Sequence, residues 1–187
     1  ATAFGAATGS FTAEAIVSIA AAPVVADVIC GRTNNTAYTG TVNFRLIVLP
    51  DLSLSLFIFT ASFTSIVATS APGLVKIGEP FHVAARFEAS TAITIWFNSV
   101  QVALTPAPDA TLQASNNVFS IGAGYGPLYS NATISNLAVY TKSLSALEIG
   151  QHAAAVIPGI GARLNAAVSA QVQYVNAYGG ITVTASN

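Results

Sequence analysis

Ionised side chains are what this 187-residue chain has least of. Lys and Arg total 6 and Asp and Glu total 7, which makes 7% of residues charged and a net charge of -1. An ordinary soluble domain carries about 25%. So few cations cannot neutralise a run of phosphates, which excludes nucleic acid as an expected partner. Cysteine is nearly absent too. Cys30 stands alone, which excludes an internal disulfide and a cysteine-built zinc site, and it reads as a small buried apolar group. Long apolar runs are also lacking. A spanning helix needs about 20 apolar residues. The run Ile19–Cys30 is broken by Pro23 and Asp27, and Leu46–Phe59 by Pro50-Asp51, so no membrane span is expected. The first residues, Ala1-Thr2-Ala3-Phe4, carry no basic stretch and show no signal peptide. Gly122-Ala123-Gly124-Tyr125-Gly126 precedes a loop and a strand rather than a helix, so it reads as a turn and not as a phosphate cradle.

What the chain does have is apolar content in alternation. Hydrophobic residues make up 53%, and mean hydropathy is +0.64. One domain of this length buries a full core without staples. Strands are predicted at Phe11–Ile19, Val42–Leu49, Leu52–Thr60, Phe81–Phe87, Ala92–Phe97, Val100–Leu104, Asn117–Gly122 and Thr133–Tyr140. Pro50-Asp51 reads as a hairpin turn, and Asn98-Ser99 as a tight one. Within Leu52–Thr60, Leu52, Leu54, Leu56 and Ile58 share one face, and Ser53, Ser55 and Phe57 the other. Ser145-Ala146-Leu147-Glu148 has capping-box spacing and predicts a helix running to about Ala155, before Pro158-Gly159. Many short strands with turn signals between them predict an all-β antiparallel two-sheet sandwich with one short helix. Residues 1–10 read as an N-terminal arm, 11–155 as the domain, and 156–187 as a C-terminal extension. In that extension helical spacing (Leu164, Val168, Val172, Val175) competes with a hairpin around Gly179-Gly180, and strands near the end are favoured.

Four segments resemble the laminin-G-like, concanavalin A-like lectin-glucanase jelly-roll family. Phe11–Ile19 resembles its first core strand. Phe81-His82-Val83-Ala84-Ala85-Arg86-Phe87 resembles its W-H-H-V-A strand, with Phe81 in place of Trp. Ala92–Ser99 resembles its L-Y-V-N-G strand, with Ser99 in place of Gly. Ile121-Gly122, then Ala132–Tyr140, then Leu144-Ser145-Ala146-Leu147-Glu148-Ile149 resemble its closing pattern. The similarity covers about residues 10–155 and implies two antiparallel sheets packed face to face as a jelly roll. Where members often carry Asp in the closing strand this chain has Ser135, followed by Asn136. Calcium-binding relatives use clustered carboxylates, which this chain lacks, so no metal and no cofactor is expected.

Glucanases of this fold use two carboxylates about 5–5.5 Å apart in the retaining case. The seven acids here are Glu14, Asp27, Asp51, Glu79, Glu88, Asp109 and Glu148, with no two within eight residues of each other. No catalytic residue is therefore expected, and His82 and His152 read as structural: His82 as a satisfied or semi-buried strand histidine, His152 as a cation near a helix end. Tyr38, Tyr125 and Tyr129 fall in loops and are the candidate ligand-binding residues, since exposed rings stack on sugar faces or anchor interfaces. Asn34-Asn35-Thr36 and Asn131-Ala132-Thr133 match the glycosylation acceptor pattern. The scarcity of charge leads to a non-catalytic structural subunit of a large assembly, and the resemblance, to a jelly roll that recurs among viral and phage particle proteins, implies a virion decoration or fibre protein. Its partners would be copies of itself or other particle subunits, in a virion or extracellular assembly. The alternative is a carbohydrate-binding or cell-adhesion module of a secreted or surface protein.

Overall fold

Strand residues of alternating character sort themselves into an inner and an outer face, and two such sheets close on each other here. The computed structural model describes residues 9–32, 43–62, 64–108, 110–113, 119–123 and 130–157. In chain order these form β1 (Phe11–Ile19), β2 (Asp27–Arg32), β3 (Phe44–Val48), β4 (Leu54–Phe59), β5 (Ser65–Thr69), β6 (Phe81–Glu88), β7 (Ala92–Phe97), β8 (Val100–Pro106), β9 (Phe119–Ile121), β10 (Ala132–Tyr140) and α1 (Ala146–Val156). The first sheet has the order β10-β1-β6-β7-β8 and the second β5-β4-β3-β2-β9, each antiparallel throughout. This is the expected all-β jelly-roll sandwich.

The core lies between the sheets. Phe11, Ala13, Ala15 and Val17 of β1 and Phe81, Val83, Ala85 and Phe87 of β6 face Phe44, Leu46 and Val48 of β3 and Leu54, Leu56 and Ile58 of β4. The Phe11 ring joins the layers, 4.5 Å from Phe44 of the other sheet and 6.0 Å from Phe87 of its own. Each buried Val, Leu, Ile or Phe side chain among them contributes roughly 1.5–3 kcal/mol. Cys30 belongs to this core, and burial pushes its thiol up to about 12. No helix among the described residues is long and apolar enough to cross a membrane.

Three details differ from the sequence reading. Leu52 sits in the β3–β4 turn at φ 61, so β4 starts two residues later than predicted. Asp51 Oδ1 holds that turn by accepting from Ser53 N at 3.0 Å and Ser53 Oγ at 2.6 Å. β2 and β5 were not predicted. β2 is buried along its whole length, as a strand between two neighbours can be, so it shows no alternation. β5 is a short edge strand of five residues. Residues 1–8 of the arm, 158–187 of the C-terminal extension, and the acceptor pattern at Asn34-Asn35-Thr36 lie outside the described residues.

The helix forms as its sequence dictates. Ser145 caps it, accepting from Glu148 N at 3.2 Å, while Ser145 N donates to Glu148 Oε2 at 2.7 Å. Lys142 and then the Ser145 donors hold the Glu148 carboxyl down, to about 2. α1 lies on the outer face of the first sheet, where Leu144 and Ile149 pack on Ala84, Trp96 and Tyr140. Thr12 Oγ1 donates to Lys142 O at 3.1 Å and accepts from Leu144 N at 2.9 Å, and Arg86 Nη1 donates to Leu144 O at 3.1 Å. These bonds fix the approach to the helix.

Candidate functional site

Because Ala13, Ala15, Val83 and Ala85 point inward, Glu14 of β1 and His82 of β6 must point outward, towards the helix side of the sheet. The register pairs Ile16 with His82 and Glu14 with Ala84, so the two side chains are diagonal neighbours. On the other side of β1, β10 carries an extra residue between the pairs Glu14–Ala138 and Ile16–Ser135. Asn136 sits in this bulge at φ 50. It is the position next to Ser135, where the family's closing strand often carries Asp. α1 then crosses over and brings His152 down onto Glu14.

The result is a cavity of about 190 Å³ whose lining includes Glu14, His82, Asn136, Tyr140 and His152, with apolar walls from Ile16, Ala138, Ala155 and Val156. Glu14 is 4% exposed and His82 2%. His152 Nδ1 lies 2.7 Å from Glu14 Oε2, and its ring stacks on Tyr140 with centroids 5.7 Å apart. Glu14 Oε1 makes no hydrogen bond among the described residues and stands 3.8 Å from His82 Nε2, too far for one. His82 Nδ1 is likewise buried without a partner among the described residues. A buried polar atom left unpaired costs about 1–3 kcal/mol.

Burial raises the Glu14 carboxyl above its ordinary value, against the lowering effect of the His152 hydrogen bond and charge. Burial, and then the charge of His152, push His82 down to about 4, so it is neutral near pH 7. Burial and then Glu14 raise the Tyr140 hydroxyl. Both histidines read as merely structural in the sequence. The structure brings them to one carboxylate from three distant segments, and His82 is buried with its Nδ1 unpaired among the described residues. Strand alternation placed Glu14 and His82 outward. The meeting with His152 depends on where α1 lands, which no local pattern records. Among the described residues no group of three or more His, Cys, Asp or Glu side chains is placed to hold a metal ion.

A second feature lies on the outer face of the second sheet. Leu56 and Ile58 point into the core, so Phe57 and Phe59 point out, with ring centroids 6.3 Å apart. Arg45, paired with Phe57 in the register, lays its guanidinium 5.6 Å from the Phe57 ring. Its Nε is buried without a partner among the described residues. Phe57 was placed outward by alternation in the sequence; Arg45 and Phe59 were missed. Tyr38, Tyr125 and Tyr129, the predicted ligand-binding residues, lie outside the described residues. Asn131 N donates to Asp27 Oδ1 at 3.2 Å.

Two facing antiparallel sheets with a helix laid on one of them define a two-sheet jelly-roll sandwich. The laminin-G-type family model described as the Concanavalin A-like lectin/glucanases superfamily matches residues 2–150, and the chain belongs to that family. No curated protein sequence matches it. Among solved structures, it resembles the receptor binding domain of botulinum neurotoxin D, with a TM-score of 0.65 and 9% identity over 82% of this chain and 39% of that one. It also resembles the botulinum neurotoxin serotype G binding domain, at TM-score 0.62 and 8% identity over 79% of this chain and 36% of that one. A third likeness is the Trypanosoma rangeli sialidase, at TM-score 0.54 and 17% identity over 76% of this chain and 22% of that one. At such identities the likeness is one of fold. The chain spans less than two fifths of the length of each of these structures.

Proposed function

We propose that this domain is a non-catalytic recognition module that binds carbohydrate in an extracellular setting, across the outer face of its second sheet. The observation that carries this reading is the strip of Arg45, Phe57 and Phe59. Half-buried rings offer flat apolar faces to a sugar, and the guanidinium of half-buried Arg45 carries N–H donors beside them. Arg and aromatic residues are the usual anchors of a binding surface. Membership of a lectin and glucanase superfamily, and a fold shared with toxin receptor-binding domains, support it. Tyr38, Tyr125 and Tyr129 extend the same chemistry to the loops. Within the family, the lectin side is favoured over the glucanase side by how the acids are used. Among the described residues Glu14 is bonded to His152, Asp27 to Asn131 N, Asp51 to Ser53, Glu148 to Lys142 and Ser145, and Glu88 pairs with Arg86, which leaves Glu79 alone without such a partner, whereas hydrolysis needs two carboxylates facing one bond.

A glycan array probed with the full chain tests the reading, followed by titration of any hit. Binding is expected, and Phe57→Ala should weaken it at least tenfold while leaving the circular dichroism spectrum unchanged. An array with no binder, or a hit whose affinity survives both Phe57→Ala and Tyr125→Ala, would overturn it.

A second reading, a structural subunit of a larger assembly such as a particle decoration or fibre, is favoured by one observation. The edge strands of the two sheets meet, with Thr105 Oγ1 donating to Val67 O at 2.9 Å, and they expose Val67 at 42%, Val100 at 62% and Leu104 at 53%. With 7% of residues charged, such edges suit contact with further copies or other subunits. The structures named above are receptor-binding domains and a sialidase rather than particle proteins, so the carbohydrate reading stands first. Light scattering decides whether the native species is multimeric.

A further inference from the structure

Helix α1 covers part of the first sheet but leaves a space between itself and β1, β6 and β10. That space holds a buried carboxylate with one oxygen satisfied and one not. Glu14 Oε2 has its donor in His152 Nδ1 at 2.7 Å. Oε1 has none among the described residues, although Glu14 is 4% exposed. His82 Nε2 lies 3.8 Å away, beyond hydrogen-bond distance. The carboxylate beside it favours the tautomer of His82 with its proton on Nε2, so an atom inserted between the two would donate to the carboxylate oxygen and accept from the imidazole N–H.

An alcohol hydroxyl does both at once. An ammonium group donates but cannot accept, and His152 already supplies the carboxylate with a donor. The remaining walls, from Ile16, Ala138, Ala155 and Val156, suit a short carbon skeleton, and exposed Asn136 at the bulge offers an amide at the mouth. At ~30 Å³ per water-sized group, 190 Å³ holds about six non-hydrogen atoms. We infer that the cavity beneath α1 is a second binding site, for a small neutral polyol or the hydroxylated edge of one sugar unit, seated with one hydroxyl between Glu14 Oε1 and His82 Nε2. This site lies on the opposite sheet from Arg45 and Phe57 and does not depend on the glycan face proposed there.

The test is a titration of the intact chain with glycerol, read from the ring nitrogen signals of His82 and His152 by NMR, with n-propylamine as a parallel arm. Glycerol should give a saturable shift at His82. Glu14→Gln should weaken it at least tenfold, since an amide has one oxygen for two partners. Ala155→Leu keeps Glu14 and His82 and adds bulk at the exposed rim of the cavity, so it should weaken the response at least tenfold without lowering the melting temperature. It also covers the case in which Glu14→Gln fails to fold. Phe57→Ala should leave the response unchanged, which separates this site from the glycan face. No saturable shift with glycerol (a cavity that holds water alone), a shift with propylamine but not glycerol, or a full response in Ala155→Leu would each overturn the inference.

Discussion

Glu14 Oε2 and His152 Nδ1 lie 2.7 Å apart although 138 positions separate them in the chain. Their contact anchors the C-terminal half of α1 to β1, the strand between β10 and β6 in the first sheet. The N-terminal half is held by other means: the Ser145–Glu148 capping box, the Thr12 bonds to Lys142 and Leu144, and Ile149 in its apolar seat.

Removing one partner of that pair should cost more than its share. His152→Ala leaves a buried carboxylate with neither oxygen paired among the described residues, and a lost hydrogen bond to such a group costs about 1–3 kcal/mol. Glu14→Ala removes the buried carboxylate itself and leaves His152, whose side chain is 40% exposed, free to turn to water. Urea unfolding should therefore show the double variant less destabilised than the sum of the two, with a coupling of about 1 kcal/mol or more. Strict additivity would mean that the contact does not hold the helix.

Acid should unfold this domain through His82. Its folded value is depressed to about 4 from 6.5, mainly by burial. The stability it contributes is complete above about pH 6.5 and is lost as pH falls through about 4, because the unfolded chain takes up the proton first. The total is roughly 3 kcal/mol. Glu14 works in the opposite sense. Its raised value means that its contribution is complete below its unfolded value of 4.5 and is lost as pH rises through the folded one. Stability followed by urea midpoints should thus decline between about pH 6.5 and 4, with the slope blunted at its acid end by Glu14. His82→Gln should flatten the decline. A slope unchanged in that variant would assign acid sensitivity to other groups.

How much of this was readable depended on the range of the forces involved. β1, β6 and β7 were legible because each has one face in the core, so apolar residues recur at every second position. The capping box was legible because Ser145 and Glu148 satisfy each other within one turn. β2 was hidden because it is buried on both faces, and Asp27, Gly31 and Arg32 interrupt its apolar pattern. Burial of Gly31 also answers to a tertiary demand, since a Cβ there would stand 2.8 Å from Phe44 O on β3. The family pattern conveyed the sandwich as a whole. The Glu14–His82–His152 meeting had no local sign: each residue alone has an ordinary structural reading, and only the landing of α1 on the sheet joins them.

The β7–β8 turn supplies a last prediction, and it bears on the same cavity. Asn98 and Ser99 take φ 48 and 68, the paired left-handed conformation of a two-residue hairpin turn. Asparagine tolerates that region and serine does so poorly, and the related family pattern carries Gly where this chain has Ser99. The turn also locates His82. Asn98 Oδ1 accepts from His82 N at 2.8 Å, and Asn98 N donates to His82 O at 2.9 Å. Ser99→Gly relieves the left-handed penalty but adds freedom to the unfolded chain, so a net gain of about 0.5–1 kcal/mol is expected. In a domain of this size that is a rise in melting temperature of about 1–4 °C. Asn98→Ala should do the reverse, losing about 1–2 kcal/mol with its hydrogen bond, and should shift the His82 ring signals as the start of β6 loosens. Calorimetry of the two variants checks the signs. A Ser99→Gly protein no more stable than the parent would show that this turn carries no strain.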